Sequence, residues 1–255
     1  MDRSTFVSRL DVRLRTDDFA EVDASANGLQ VGREEGTVEH AAFAVDAAAE
    51  TIDAAADAGA DLLVTHHGLI WGGVDRLTGR PFDLFSRLVE ADLGLYVAHL
   101  PLDAHPELGN AAGVADLLDL DEREPFGAMG PEHVGVRGRR AEPVALGALT
   151  DRLAAELDLG DGGVRTLPFG PDRVEDVAVV TGSGADWLAE AIDEGVDAFV
   201  TGEGKQQVYH EAKEAGVSVV LAGHYATETF GVRSLQSLAE EWGLGTTFVE
   251  APTGL

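Results

Sequence analysis

The residues of this chain that could do chemistry are histidines and carboxylates that follow predicted strands. Four of the eight histidines stand at such positions, together with three acidic residues. In an open α/β sheet, ligands gather at the carboxyl ends of the strands, so we expect these side chains to approach one another. Imidazole and carboxylate groups in this concentration indicate a site for divalent metal ions. The segments are Thr65-His66-His67-Gly68, His99 to Asp103, Thr201-Gly202-Glu203 and His224 to Glu228.

The adjacent pair His66-His67 is open to more than one interpretation. Neighbouring side chains of a strand point to opposite faces, so both reach one site only if the strand ends there and the chain turns. Gly68 permits such a turn. The adjacent placement also suits two separate ions with one histidine each. Taken alone, the pair is explained equally well by a structural role.

Two further pairs share a four-residue spacing. His224 and Glu228 lie on one face if a helix begins there. His99 and Asp103 have the same spacing, but Pro101 restricts the residue before it and favours an extended turn. Neither spacing is specific by itself. The specificity comes from finding related pairs in two copies of a repeated pattern.

The repeated pattern covers two stretches of the chain. Residues 52–65 and 188–201 each read as an Ala-rich amphipathic helix, a Gly that ends it, and a short apolar strand ending at Thr. Residues 83–99 and 207–224 then repeat a helix, a Gly, a buried strand and a histidine. Near-continuous apolar strands that follow helices are typical of parallel sheets. The sequence therefore predicts an α/β fold with an internal duplication.

We place the first half at residues 1–120 and the second at residues 121–255. Within the second half, residues 121–176 form a less regular stretch in which EHVGVRGR and VRTLPF predict strands and VALGALTDRLAAEL predicts a helix. A Pro- and acid-rich segment leads into this stretch. The candidate donors in the first half are His66, His67 and Asp103, and those in the second are His224 and Glu228.

The composition is dominated by acid. The chain has 46 Asp and Glu against 18 Lys and Arg, a net charge of −28. Acid excess, only two lysines and abundant Ala and Gly resemble proteins from extreme halophiles. A surface for a basic partner is the weaker alternative, because the acids are spread along the whole chain. No basic stripe is present, which argues against nucleic-acid binding.

Other classes of site and location are excluded by what the chain lacks. It has no cysteine, so thiolate zinc sites, iron–sulfur clusters and cysteine nucleophiles are excluded. No run of 18 apolar residues predicts a spanning helix, and the first residues lack the apolar core of a secretory signal. We therefore expect a cytoplasmic protein without a membrane partner.

Taken jointly, the motifs resemble the Nif-three-like dinuclear-metal family, often labelled GTP cyclohydrolase I type 2 homologues. Gly68 and Trp71 stand where the family often has Pro and Phe, and Glu203 stands where relatives often have Asp. The long central domain of some relatives is absent. The matching segments are NGLQVG (27–32), THHGLIW (65–71), HLPLD (99–103), TGE (201–203) and GHYATE (223–228).

The resemblance implies two divalent metal ions per chain, with Zn, Mn, Fe or Co as the candidates. The implied fold has two intertwined, similar α/β halves with mixed, largely parallel sheets and the metal site between them. The implied partner is the chain itself, as a toroidal homohexamer. His99 and Glu203 suit a supporting or proton-transfer role. The ligands that the resemblance implies are His66, His67, Asp103, His224 and Glu228.

Two functions fit such a site. The first is a metal-dependent hydrolase that uses a metal-bound, activated water on an unidentified small molecule, such as a phosphoester, nucleotide or ring amide. Open coordination positions favour this hypothesis, and Asp103 or Glu228 could bridge the ions. The alternative is a non-catalytic metal-binding scaffold, metal carrier or regulatory partner. The glycine-rich segment Thr181 to Gly184 is interpreted as a plain strand-to-helix connection.

Overall fold

Two β-sheets with mixed parallel and antiparallel pairs organise the chain, and the computed structural model describes all of residues 1–255. The chain divides into unit 1, residues 1–102 and 231–251, and unit 2, residues 103–230 and 252–255. The first division lies after residue 102. The C-terminal strand belongs to unit 1 because its residues 245–248 pair with residues 40–43.

Unit 1 is built on a five-stranded sheet. Its elements are α1 (Arg3–Leu14), a 3-10 turn (Thr16–Phe19), β1 (Gly28–Val31), β2 (His40–Asp46), α2 (Ala49–Asp57), β3 (Leu62–His67), α3 (Arg80–Glu90) and β4 (Gly94–Val97). The short helix α4 (Leu100–Asp103) ends at the division between the units.

Unit 2 is built on a six-stranded sheet. Its elements are α5 (Asn110–Leu117), β5 (Leu120–Met129), β6 (Glu132–Ala145), α6 (Leu146–Glu156), β7 (Arg165–Leu167), β8 (Arg173–Val180), a 3-10 turn (Gly184–Trp187), α7 (Leu188–Asp193), β9 (Ala198–Thr201), α8 (Gln206–Ala215), β10 (Ser218–Leu221) and α9 (His224–Thr227). The helix α10 (Thr229–Glu241) then leads back to unit 1, where β11 (Gly245–Phe248) completes the first sheet.

The strand orders confirm that the apolar strands after helices are parallel. In unit 1 the order is β1-β4-β3-β2-β11, with only the β1–β4 pair antiparallel. In unit 2 the order is β5-β6-β8-β9-β10-β7, and the β8–β9 and β9–β10 pairs are parallel. The carboxyl ends of neighbouring parallel strands therefore lie along one edge of each sheet.

The repeated helix-Gly-strand segments have equivalent local hydrogen bonding. Gly59 and Gly195 both adopt left-handed backbone, with φ of +70° and +71°. Two residues later, the carboxylates of Asp61 and Asp197 each accept two backbone N–H groups from the start of the neighbouring strand. The donors are Glu39 and His40 for Asp61, and Glu175 and Asp176 for Asp197, at 2.8 and 3.0 Å in both cases.

Residues 121–176 are more regular than predicted, and the two strands and the helix predicted within them correspond to β6, β7 and α6. The segment that leads into this stretch is the ten-residue strand β5, and the following β6 has 14 residues. Pro125 pairs with Val136 in this hairpin. Proline is tolerated there because β5 lies at the edge of its sheet, where one side of the strand needs no ladder hydrogen bonds.

Each unit has its own apolar core between helices and sheet. In unit 1, Ile52 of α2 and Leu88 of α3 pack with buried residues of β3 and β4. In unit 2, Leu149 and Leu153 of α6 belong to a cluster with buried valines of β8 and β9. None of the helices combines the length and apolar character that crossing a membrane requires.

Candidate metal centre

Three histidines of unit 1 converge where the neighbouring strands β3 and β4 end. Thr65 pairs with Val97, so His66 and His99 follow neighbouring positions of the two strands. One ring nitrogen from each of His66, His67 and His99 lies within 4.8 Å of the others, a group that could hold a metal ion. The ring centroids of the adjacent histidines are 4.6 Å apart. Strand β3 runs through His67, so the expectation that both rings reach one site only if the strand ends before them is wrong. Both residues of the pair take part in one cluster.

Each of the three rings is oriented by a hydrogen bond at Nδ1. A carbonyl acceptor requires the proton to be on Nδ1, and a carboxylate favours it there, which leaves Nε2 as the nitrogen suited to coordinate a metal. Sequence reasoning missed all of these partners. They are Ala98 O for His66 at 2.9 Å, Asp46 Oδ1 for His67 at 2.8 Å and Asp23 Oδ1 for His99 at 2.9 Å.

Asp23 organises the turn that carries His99. Its carboxylate accepts the backbone N–H of Leu100 at 3.0 Å and the Nδ2 group of Asn27 at 2.8 Å. Asn27 in turn accepts the backbone N–H of His99 through Oδ1 at 2.8 Å. Burial raises the pKa of Asp23, but the hydrogen bond and charge of His99 and the bonds from Asn27 and Ser25 hold it below its ordinary value.

The predicted extended turn between His99 and Asp103 is wrong, because Leu100 to Asp103 form the single-turn helix α4. Pro101 stands in the first turn, where its missing N–H removes no helical hydrogen bond. The N–H of Leu100 is satisfied by Asp23 instead. The local restriction before proline was therefore outweighed by hydrogen bonds to a residue far away in sequence.

The helical prediction for His224 and Glu228 is confirmed in unit 2. α9 begins at His224, and Nε2 of His224 lies 3.2 Å from Oε2 of Glu228. On the other side of the ring, Nδ1 of His224 lies 3.2 Å from Oε1 of Glu203. The hydroxyl of Ser183 donates to the same Glu203 oxygen. Glu203 thus orients His224 from Nδ1, and Ser183 holds Glu203.

The two carboxylates change the charge state of His224. Burial lowers the pKa of His224, but the hydrogen bonds and charges of Glu228 and Glu203 outweigh it and raise the pKa to about 9. The hydrogen bond from Ser183 lowers the pKa of Glu203, burial opposes it, and His224 lowers it further. At neutral pH the metal-free group is therefore an imidazolium between two carboxylates.

Gly182 gives the carboxylate of Glu228 its space. The residue has φ of +58°, and a Cβ built on it would lie 2.0 Å from Oε1 of Glu228 and 3.1 Å from Nε2 of His224. No side chain fits there unless Glu228 moves. The segment Thr181 to Gly184 was interpreted as a plain connection, although its glycines were the signal that could have identified this position.

Asp103 lies in unit 2 among polar partners that the sequence did not reveal. Its Oδ1 accepts a hydrogen bond from Nδ2 of Asn110 at 2.8 Å and one from the hydroxyl of Thr181 at 3.3 Å. Asn110 is fully buried in the first turn of α5. These donors hold one oxygen of the carboxylate in a defined orientation.

The predicted residues thus form donor groups in each unit. Unit 1 brings together His66, His67 and His99, while unit 2 brings together Glu203, His224 and Glu228 and holds Asp103 with Asn110 and Thr181. Two other histidines of the chain have different surroundings. His210 is exposed on α8 and His40 lies 2.9 Å from the Thr247 hydroxyl.

Comparisons with known proteins identify the family of the chain. The sequence profile of the Duf34/NIF3 (NGG1p interacting factor 3) family matches residues 1–253. A Halobacterium salinarum protein named GTP cyclohydrolase 1 type 2 homolog is 58% identical over 255 residues, with 100% of both chains covered.

Solved structures share the whole mixed α/β fold. The protein TTHA1606 from Thermus thermophilus is 40% identical with a TM-score of 0.89, and both chains are covered completely. The protein ybgI, described as being of unknown function, is 34% identical with a TM-score of 0.90 and the same coverage. The resemblance inferred from the motifs is confirmed, and this chain belongs to the Duf34/NIF3 family.

Proposed function

We propose that this chain holds a pair of divalent metal ions and is a metal-dependent hydrolase of a small molecule. One observation carries the proposal: every histidine in the proposed ligand set has an acceptor at Nδ1. This is the arrangement that metal-ligating histidines almost always show, because the outer acceptor fixes the ring and its tautomer. The proposed ligands are His66, His67, Asp103, His224 and Glu228.

The chemistry of the donors fits the proposed ions. Imidazole nitrogens and carboxylate oxygens without any thiolate suit Zn, Mn, Fe or Co. Gly182 leaves the carboxylate of Glu228 room beside His224, which any side chain would remove. Three histidines and two carboxylates shared by two ions would leave coordination positions open, as a catalytic site requires.

The bound ions would supply Lewis-acid activation of water against a phosphoester, nucleotide or ring amide. The chain's own residues would orient the ligand side chains and transfer protons. Asp46 and Glu203 hold the rings of His67 and His224, and the pair of His99 with Asp23 supplies a group that can accept or return a proton.

Elemental analysis of the purified chain tests the ion pair directly. We expect about two divalent ions per chain, and we expect Glu228→Gln to lower the metal content more than the Tm. Glu214→Gln, which neutralises an exposed acid of α8, serves as the control for loss of one charge. A folded wild-type chain without metal would contradict the proposal.

Hydrolysis is tested separately from metal binding. Phosphoester, nucleotide and cyclic-amide libraries are screened in molar KCl with added Mn or Zn, and turnover should vanish with chelator and in His67→Ala. If the chain keeps its metal but turns over nothing, the non-catalytic scaffold, carrier or regulatory function replaces the hydrolase.

The family resemblance also supports a homohexamer as the assembled form. Light scattering in molar KCl should then give a mass near six times that of the chain. A monomeric mass across a wide range of protein concentration would contradict this part of the proposal.

Asp46→Asn is expected to lower metal affinity by about 10- to 100-fold, because it weakens the acceptor that orients His67. The effect on the Tm should be small, since the side chain of Asp46 is about one-third exposed. Asp53→Asn is the matched control: it neutralises an exposed aspartate of unit 1 that pairs with Arg87 and not with a histidine. Equal metal affinities of the two variants in a chelator competition would contradict the role of Asp46.

Metal affinity is expected to fall as the pH falls below about 9. The pKa of His224 is raised to about 9 in the metal-free chain, so a metal ion must displace a proton at neutral pH. The apparent affinity should decrease by about tenfold for each pH unit between 9 and 7. Chelator competition at several pH values measures it, with the exposed His210→Gln variant as control. A flat profile would exclude His224 as a ligand.

The same raised pKa predicts the opposite trend for stability of the metal-free chain. A raised folded-state pKa means that the contribution of His224 is fully present below its ordinary pKa of 6.5 and is lost as the pH rises through about 9. Thermal unfolding of the metal-free protein should therefore show wild type losing its advantage over His224→Gln across this range.

A further inference from the structure

Trp71 presents an exposed indole beside the histidine cluster of unit 1. Trp71 is 43% exposed, and the other two tryptophans of the chain, Trp187 and Trp242, are less exposed. The indole meets the ring of His99 edge-on, with centroids 4.9 Å apart and planes at 77°. The ring of His67 lies at 6.3 Å. Among the tryptophans, only Trp71 contacts the donor group.

One hydrogen bond orients the indole, and two backbone hydrogen bonds fix the segment that carries it. Its Nε1 donates to the carbonyl of Gly68 at 3.0 Å. The backbone on either side is tied to residues 24–26, through the N–H of Ala26 to Ile70 O at 3.1 Å and the N–H of Gly72 to Ala24 O at 2.7 Å. A ring that is already fixed loses little conformational freedom when a ligand packs against it.

The segment that follows Trp71, up to the first turn of α3, is also exposed and carries apolar side chains. Residues 72–83 are exposed without interruption, and they include Val74, Leu77 and Phe82, which are 52%, 38% and 53% exposed. The core of unit 1 uses Leu84 and Leu88, which lie further along α3, and none of these three residues. Exposed apolar side chains that the core does not use are typical of a binding surface.

We propose that Trp71 binds the planar aromatic ring of the substrate, which stacks on the exposed indole face and places its reacting group beside His67 and His99. This inference rests on the proposed metal-dependent function and adds the substrate class. A planar ring matches the flat indole face, and aromatic pairs gain affinity beyond that of the apolar area they bury. A saturated ring of similar size buries apolar area without this gain.

A pair of matched probes separates stacking from simple apolar burial. Phenylphosphonate and cyclohexylphosphonate carry the same charged group and differ in the planarity of the ring, and neither has a phosphoester bond to hydrolyse. Binding to the Zn-loaded chain in molar KCl is measured by calorimetry, after elemental analysis of each variant. We expect phenylphosphonate to bind about 3- to 10-fold more tightly.

Variants then assign the preference to Trp71. Trp71→Leu should bring the affinity ratio of the two phosphonates close to one, while Trp71→Phe should retain most of it. Trp187→Leu, which removes a tryptophan of unit 2 that bonds to Ala128 O, should leave the ratio unchanged. Quenching of tryptophan fluorescence by phenylphosphonate should likewise disappear in Trp71→Leu.

The outcomes separate this inference from the proposed function. If the wild-type chain holds its metal but binds the two probes equally, or binds neither, the inference is overturned and the metal centre stands. If Trp71→Leu changes the mass of the assembly and leaves the ratio intact, the surface contacts a second copy and the inference is overturned. A chain that binds no metal overturns the proposed function and this inference with it.

Discussion

Gly182→Ala is expected to lower the affinity of the chain for divalent metal by about 100-fold. This is the upper end of the loss that follows when a residue supporting a metal ligand is replaced. The added Cβ would lie 2.0 Å from Oε1 of Glu228, far inside any contact distance, so the carboxylate must leave its position. The displaced group also loses its ion pair with His224. Chelator competition measures the affinity, and thermal unfolding of the metal-free variant measures the accompanying loss of stability.

Gly195→Ala is the matched control for this prediction. Gly195 has φ of +71°, close to the +58° of Gly182, but a Cβ at Gly195 would meet nothing within 4 Å. Both variants should lose about 1–2 kcal/mol from placing alanine in the left-handed region, while only Gly182→Ala should lose metal. Equal metal affinities of the two variants would show that Glu228 does not bind the ion.

Raising KCl from 0.1 to 1 M is expected to raise the Tm by on the order of 10 °C. The net charge of −28 makes the folded chain repel itself, because its 46 acidic residues far outnumber its 18 basic ones. Over this range the Debye length falls from about 10 Å to about 3 Å, so most of the repulsion is screened. Calorimetry on the metal-free chain separates the effect from salt-dependent metal binding.

Screening also weakens the surface ion pairs, which gives this prediction a definite contrary outcome. Pairs such as Arg139 with Glu175 and Lys205 with Asp186 are exposed, and such pairs contribute about 0–1 kcal/mol each. A Tm that falls between 0.1 and 1 M KCl would mean that these attractions outweigh the excess of negative charge. Sucrose at equal osmolality is the control, since it stabilises compact states without screening charge.

The sequence by itself determined the elements and the residue types of the candidate centre. Apolar runs after helices predicted β3, β4, β9 and β10, and the parallel pairs confirm them. The spacing of His224 and Glu228 predicted a shared helical face, which α9 provides. These predictions succeed because helices and strands have fixed periods that a local stretch of sequence displays.

Only the tertiary structure decided how the donors are held. The acceptors for His67 and His99, Asp46 and Asp23, lie 21 and 76 residues away, and no local pattern connects them. The segment at Pro101, predicted to be extended, is a helix, and Asp23 accepts the N–H of its first residue Leu100. A side chain at position 182 would collide with the carboxylate of Glu228, which lies 46 residues later. The backbone on either side of Trp71 is held by hydrogen bonds to residues 24–26. Periodicity is encoded along the chain, whereas these contacts depend on strand register and turn geometry, which bring distant segments together only in the folded protein.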